Sequence, residues 1–207
     1  GVPPDGQKVI ERAQRILTEV NEIKAIGGEQ HLDNSGTLVI AASHTQARFR
    51  LPAVLQQFRE GYPDVHINIR PESGRAIQDA LVAGSADIGI LSQCTDGGAD
   101  LVYIQTYQRI LLVNTGHPLL RKRKVGLQDI IQHPIVLYEP SQTAETLMHT
   151  LAQIPPPGPT LLRATNADVV KAYVEHGLGI AVVPDLVFDA ARDPGMKAIA
   201  VSHLFPS

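Results

Sequence analysis

Residues 37–58 read TLVIAASHTQARFRLPAVLQQF and pass from a strand pattern to a helix pattern through a short polar corner. The apolar run at 37–42 predicts a buried strand. Four large apolar side chains then recur at helical spacing over residues 51–58, which predicts a helix. A strand joined directly to a helix is the first half of a β-α-β unit, so the stretch indicates an α/β fold.

The same alternation continues on the C-terminal side of this stretch. Alternating apolar residues at 65–69, a helical stripe at 77–81 and a short apolar run at 87–91 complete a βαβαβ pattern. Such a unit predicts a largely parallel sheet with right-handed crossovers. In a second unit, strands are predicted at 109–113, 134–138, 160–164, 179–183 and 196–201, and helices at 127–132, 141–154, 167–176 and 185–192. We place the two units at residues 37–106 and 107–207.

The segment that precedes the first unit has a different pattern. Within residues 1–30, apolar side chains from Val9 to Ile23 follow alternating spacings of four and three, and Gly27 ends the pattern. This heptad-like seam predicts a linker or dimerisation helix. An ordinary helix that packs on its own domain is the open alternative.

Composition excludes several classes of protein. The 207 residues include 18 Lys and Arg against 21 Asp and Glu, a formal charge of −3, which argues against a nucleic-acid-binding surface on these residues. A single cysteine, Cys94, excludes an internal disulfide and a cysteine-built zinc site. No apolar run approaches the roughly 20 residues of a membrane span, and the first residues lack a signal-peptide pattern. We therefore expect a cytoplasmic protein without a membrane partner.

Catalytic and metal-binding patterns are not found in the sequence. Ser43 and His44 are neighbours at a strand end, where successive side chains point to opposite sides. The chain has no Gly-x-Ser-x-Gly elbow, no His-Glu-x-x-His motif and no dinucleotide fingerprint, and its eight histidines are scattered. We expect no catalytic residue, no metal and no cofactor, and therefore a protein that is not an enzyme.

Polar residues collect at the corners where predicted strands pass into helices. Ligands of parallel sheets bind beyond the carboxyl ends of the strands, where helix N-termini present free N–H groups. Hydroxyls, amides and one guanidinium at these corners favour a small anion or polar zwitterion. Helix capping is the competing explanation for each hydroxyl. The candidate ligand-binding residues are Ser43, His44, Thr45, Gln46, Ser73, Arg75, Ser141, Thr143 and Thr165.

Four stretches of this sequence resemble a known family. ADIGI at 86–90 and GHPL at 116–119 are similar to general motifs of LysR-type transcriptional regulators. HTQAR at 44–48 and the run TNADVVKAYV at 165–174 are similar to the CysB-type branch of that family. The resemblance covers nearly the whole chain.

The resemblance implies a periplasmic-binding-protein-like fold (type 2) with two Rossmann-like subdomains around an effector cleft. It implies regulation of sulfur assimilation in response to sulfate, thiosulfate, O-acetylserine or N-acetylserine. In that family's pocket, hydroxyls of the first-strand loop match Ser43 and Thr45, a later threonine matches Thr165, and an aromatic residue matches Tyr107. The chain departs from the family at Arg75, where a threonine is usual, and at Ser43, where threonine is also usual.

The resemblance also implies partners. A homodimer or homotetramer is expected, with DNA bound only through an N-terminal domain that this sequence lacks. From the resemblance we also expect a further strand and helix that complete the first subdomain and that this sequence does not include. The runner-up is a solute-binding protein of an anion transporter, which would share the cleft; the linker helix and the missing signal-peptide pattern argue against it.

Overall fold

The computed structural model describes residues 35–91, 102–139, 142–152 and 161–205. The predicted linker helix within residues 1–30 lies outside these ranges, as does Ser141. The chain divides into two compact units between Val102 and Tyr103. We call them unit 1 and unit 2.

Unit 1 contains a three-stranded parallel sheet with two helices. The strands are β1 (Gly36–Ala42), β2 (Val65–Pro71) and β3 (Ile88–Ile90), and the helices are α1 (Leu51–Gly61) and α2 (Gly74–Val82). The strand order is β2-β1-β3, and both pairings are parallel. The predicted parallel βαβαβ unit is therefore present. β1 lies at the centre, which explains why its last three residues are buried.

The helix that follows β1 begins with one wide turn. Residues Gln46–Arg50 form a π-helical turn, in which the N–H of Leu51 donates to the carbonyl of Gln46 five residues earlier. Pro52 accounts for this widening. It has no N–H to donate to the carbonyl of Arg48, and its ring would collide with that carbonyl in a regular α-helix.

The ADIGI motif fixes β3 against the rest of unit 1. Asp87 makes two hydrogen bonds to the backbone of Val39 in β1. The Asp87 carboxylate accepts from the Val39 N–H at 2.7 Å, and the Asp87 N–H donates to the Val39 carbonyl at 2.9 Å. Gly89 lets α2 approach closely, because a Cβ there would lie 2.6 Å from Leu81 Cδ1 and 2.8 Å from Ile77 Cγ2. The motif therefore has a structural explanation.

Unit 2 has a larger core and a mixed strand arrangement. Its strands are β4 (Arg109–Asn114), β5 (Ile135–Tyr138), β6 (Leu161–Ala164), β7 (Ala181–Pro184) and β8 (Met196–Ala200), and its helices are α3 (Leu127–Ile130), α4 (Gln142–Leu151) and α5 (Ala167–Glu175). β4 lies between β7 and β8 and is antiparallel to both, whereas β5 and β6 are parallel. A parallel bridge between Ile135 of β5 and Ile180, just before β7, links the pair β5-β6 to the group β7-β4-β8.

One predicted helix of unit 2 is wrong. Residues 185–192 form only a short 3-10 turn, Asp185–Val187, followed by turns. Two carboxylates bind the local backbone instead: Asp193 accepts from the Asp189 N–H at 3.0 Å, and Asp189 accepts from the Ala191 N–H at 2.9 Å. Such side-chain bonds compete with helical hydrogen bonds. None of the helices in the described ranges is long and apolar enough to span a membrane.

Candidate functional site

The carboxyl edge of unit 1 brings two of the predicted polar corners together. Ala42, Pro71 and Ile90 end the three parallel strands in one register. The N–H of Ser43 donates to the Ile90 carbonyl at 3.0 Å, and the N–H of Glu72 donates to the Ala42 carbonyl at 2.9 Å. The corners that start at Ser43 and Glu72 are therefore adjacent.

Two of the predicted site residues at this edge act as helix caps. Ser43 Oγ accepts from the Gln46 N–H at 3.4 Å, and the Ser43 carbonyl accepts from the Ala47 N–H at 2.9 Å. Ser73 Oγ accepts from the Ala76 N–H at 3.4 Å at the start of α2. Capping explains both serines, because each satisfies a backbone donor that has no partner within the helix.

Thr45 and Gln46 follow the capping residue Ser43 by two and three positions, and both are buried. Each is only 7% exposed, which makes them two of the three buried polar or charged residues in the described part of the chain. The Thr45 side chain makes no capping hydrogen bond. His44 and Arg75, in contrast, are exposed at the same edge.

Unit 2 has an equivalent edge, which five strands share. β5, β6, β7 and β8 end there, and the antiparallel β4 begins there. The N–H of Glu139, after β5, donates to the carbonyl of Ala164, the last residue of β6, at 2.9 Å. The N–H of Asp185, after β7, donates to the carbonyl of Gln108, just before β4, at 2.9 Å.

At the corner between β6 and α5, the helix cap and the candidate ligand-binding residue are two different residues. Asn166 Oδ1 accepts from the Asp168 N–H at 2.8 Å, and the Asn166 carbonyl accepts from the Val170 N–H at 3.1 Å. Asn166 is therefore the N-cap of α5. Thr165, one residue earlier, is exposed. The capping explanation considered for the Thr165 hydroxyl applies to its neighbour instead.

Three other predicted site residues belong to unit 2, and for two of them the structure gives the position along the chain. Tyr107 is partly buried two residues before β4, at the same edge. Thr143 lies in the first turn of α4. Ser141 is outside the described residues.

Arg109 is a residue of this edge that the sequence analysis missed. It is the first residue of β4 and pairs with Pro184, the last residue of β7. Its Nε is buried and has no hydrogen-bond partner in the described ranges. Burial lowers the pKa of Arg109 from its ordinary value, although attraction to Asp185 opposes the shift. The signal in the sequence was a charged residue at the head of the apolar run RILLV.

At each of the two edges, taken separately, the polar groups suit a small polar ligand. Hydroxyls, an amide, arginines and the N–H groups of first helical turns are mainly hydrogen-bond donors, which favour negatively charged ligands. Within the described residues, no three histidine, cysteine, aspartate or glutamate side chains are grouped to hold a metal ion.

The family model of the LysR substrate binding domain matches residues 31–207. The chain belongs to the LysR substrate-binding domain family. Such domains form part of LysR-type regulators, and the predicted membership is confirmed.

Relatives and solved structures support the LysR assignment. The HTH-type transcriptional regulator CysB of Burkholderia cenocepacia is 34% identical over 205 residues, which are 98% of this chain and 66% of that protein. The regulator SsuR of the same organism is 33% identical over an alignment of 208 residues, which covers 99% of this chain and 68% of that protein. The crystal structure of the cofactor-binding domain of the Cbl transcriptional regulator matches with a TM-score of 0.71 and 31% identity, over 86% of this chain and 80% of that chain. The chain thus spans about two thirds of the length of these curated relatives.

These similarities favour one of the classes considered from the sequence, the transcriptional regulator. The predicted α/β, type 2 periplasmic-binding-protein-like fold is confirmed, and so is the similarity to CysB-type regulators. The relatives are named as transcriptional regulators, which does not favour the transporter alternative and is consistent with a protein that is not an enzyme. The roles of the individual site residues stay predictions.

Proposed function

We propose that this chain is the sensing domain of a LysR-type regulator of sulfur assimilation and that it binds sulfate, thiosulfate, O-acetylserine or N-acetylserine. The similarity to CysB, SsuR and Cbl supports the regulatory class. The donor-rich strand ends support a small anion or a polar acetylated serine as the ligand.

The observation that carries the proposal is the separation of Thr165 from the helix cap. Asn166 satisfies the first turn of α5, so the exposed Thr165 hydroxyl has no capping role to explain its place at the edge. A hydroxyl beside a helix N-terminus can donate to an anion that the helix dipole already favours. In unit 1, the buried Thr45 and Gln46 supply a second set of polar groups at a strand end.

The proposal includes the rest of the regulator. DNA binding belongs to a separate N-terminal domain, since the net charge of −3 on this chain does not suit a DNA surface. Oligomerisation as a homodimer or homotetramer in the cytoplasm would let effector binding change the distance between two DNA-binding domains.

Isothermal titration of the 207-residue chain with the four candidate effectors tests the proposal. Unmodified serine and chloride serve as controls, because serine lacks the acetyl group and chloride lacks the oxygens that accept several hydrogen bonds. We expect saturable one-site binding of at least one candidate and none of the controls. Binding of a neutral sugar or an unmodified amino acid, with no response to any of the four candidates, would contradict the proposal.

A further inference from the structure

Arg109 occupies a fixed position at the ligand edge of unit 2. Its N–H donates to Ser202 Oγ at 3.1 Å, and its carbonyl accepts from the Val201 N–H at 3.1 Å. Side chains alternate along a strand, so Arg109 lies on the same face of β4 as Leu111 and Val113 of the main core cluster. The Arg109 side chain therefore begins on the face of β4 that carries part of the core.

One nitrogen of the Arg109 guanidinium is buried without a hydrogen-bond partner among the described residues. Nε is buried without a hydrogen bond in the described part of the chain, and Asp185 acts on the group only through electrostatic attraction. An unsatisfied buried donor is unfavourable, and a guanidinium cannot relieve the cost by losing its proton.

Other arginines of unit 2 show the usual arrangement. Arg163 donates to Glu139 at 2.7 Å, and Arg192 lies 3.5 Å from Asp189. Arg121 is exposed to solvent at the end of a short 3-10 turn. Arg109 differs from these three in combining burial of a donor with the absence of an ion pair in the described ranges.

We propose that Arg109 binds the oxyanion group of the effector and so restricts this site to ligands that carry such a group. The inference rests on the function proposed above and deepens it. An oxyanion supplies the acceptor that Nε lacks, and the planar guanidinium fork matches the geometry of two oxygens. The shared chemistry is that of an oxyanion, which sulfate offers as the whole ligand and N-acetylserine offers as its carboxylate.

The test compares the parent chain with Arg109→Gln, Arg109→Lys and the control Arg121→Gln, each titrated with sulfate and with N-acetylserine. Arg109→Gln removes the charge, whereas Arg109→Lys keeps the charge and loses the fork. Arg121→Gln removes the same charge from an exposed site, and so corrects for net charge. The melting temperature of every variant is recorded without ligand.

We expect Arg109→Gln to weaken binding about ten- to a hundredfold, Arg109→Lys to weaken it less, and Arg121→Gln to leave it within about twofold. The melting temperature of Arg109→Gln should stay the same or rise, because a charge that burial disfavours is removed. A loss seen only with sulfate or only with N-acetylserine identifies the oxyanion that Arg109 binds.

The results that overturn the inference are separable from failure of the proposed function. If the parent chain binds neither anion, both proposals are wrong. If the parent binds and Arg109→Gln binds equally well, only the Arg109 inference is wrong. An equal loss of affinity in Arg121→Gln also overturns it, because net charge would then explain the effect of Arg109→Gln. A lower melting temperature with unchanged affinity in both Arg109 variants overturns it too, because Arg109 would then serve packing and not binding.

Discussion

Substitutions at Thr165 and Asn166 should separate ligand binding from helix capping at adjacent positions. Thr165→Val keeps the side-chain shape and removes the hydroxyl, whereas Asn166→Ala removes the acceptor that bonds the Asp168 N–H at 2.8 Å. If Thr165 contacts the effector, the first change lowers affinity and leaves stability alone. The second change should do the reverse.

The structure sets the size of each effect. Loss of the Asn166 cap should lower the free energy of unfolding by about 1 kcal/mol, within a range of roughly 0.5–2 kcal/mol. In a unit of about 100 residues, 1 kcal/mol corresponds to roughly 4–8 °C in melting temperature. Thr165 is exposed and is not the cap, so Thr165→Val should change stability by no more than about 0.5 kcal/mol. A lost hydrogen bond to a charged ligand should weaken binding by roughly 1.5–3 kcal/mol, or about one to two decades.

Both quantities are measured on the same samples, affinity by isothermal titration with sulfate-type anions and stability by thermal unfolding without ligand. Unchanged affinity in Thr165→Val would refute the reasoning, because the exposed hydroxyl would then have no part in binding. Equal loss of affinity in Asn166→Ala would also refute it, because the helix terminus as a whole, and not the hydroxyl, would control the site.

Three further predictions concern the rest of the structure. Thr45→Val should weaken effector binding about tenfold or more in the same titration, and unchanged affinity would remove Thr45 from the site. Gly89→Ala should destabilise the chain by about 1–3 kcal/mol in urea unfolding, because the new methyl group would overlap Leu81 Cδ1; an unchanged midpoint would contradict the close packing. Burial, and then the neighbouring His133, lower the pKa of His117, so its contribution to stability is present above the unfolded pKa of about 6.5 and is lost as pH falls below it. His117→Asn should reduce the loss of stability between about pH 7 and pH 5.5, and an identical pH profile would contradict this assignment.

The sequence was informative where local periodicity and tertiary structure agree. The apolar run at 37–42 predicts β1 because a central parallel strand is covered on both faces. The helix stripes predict α1, α2 and α5 because each helix packs one face on a sheet. The strand-end positions of Ser43, Ser73 and Thr165 followed from the same alternation.

Long-range pairing and side-chain competition could not be read from local patterns. Nothing in the run RILLV at 109–113 states that β4 pairs antiparallel with β7 and β8, because apolar side chains are required in either orientation. The apolar residues after Pro184 suggested a helix, but carboxylates of the same loop bind its backbone. The unpaired Nε of Arg109 depends on how β4 pairs with β7 and β8, so only the folded structure shows it.

At the start of α5, one residue caps the helix and its neighbour is left to bind the effector, so effector binding does not require the loss of the cap. A helix N-terminus has four N–H groups without intrahelical partners, and a cap such as Asn166 satisfies only part of them. The remaining N–H groups of α5 lie beside Thr165, so an anion can bind them without displacing the cap. Binding then adds to the stability of α5 by mass action and does not compete with it. Saturating effector should therefore raise the melting temperature of Asn166→Ala as well as that of the parent chain, and a rise in the parent alone would show that ligand and cap depend on each other.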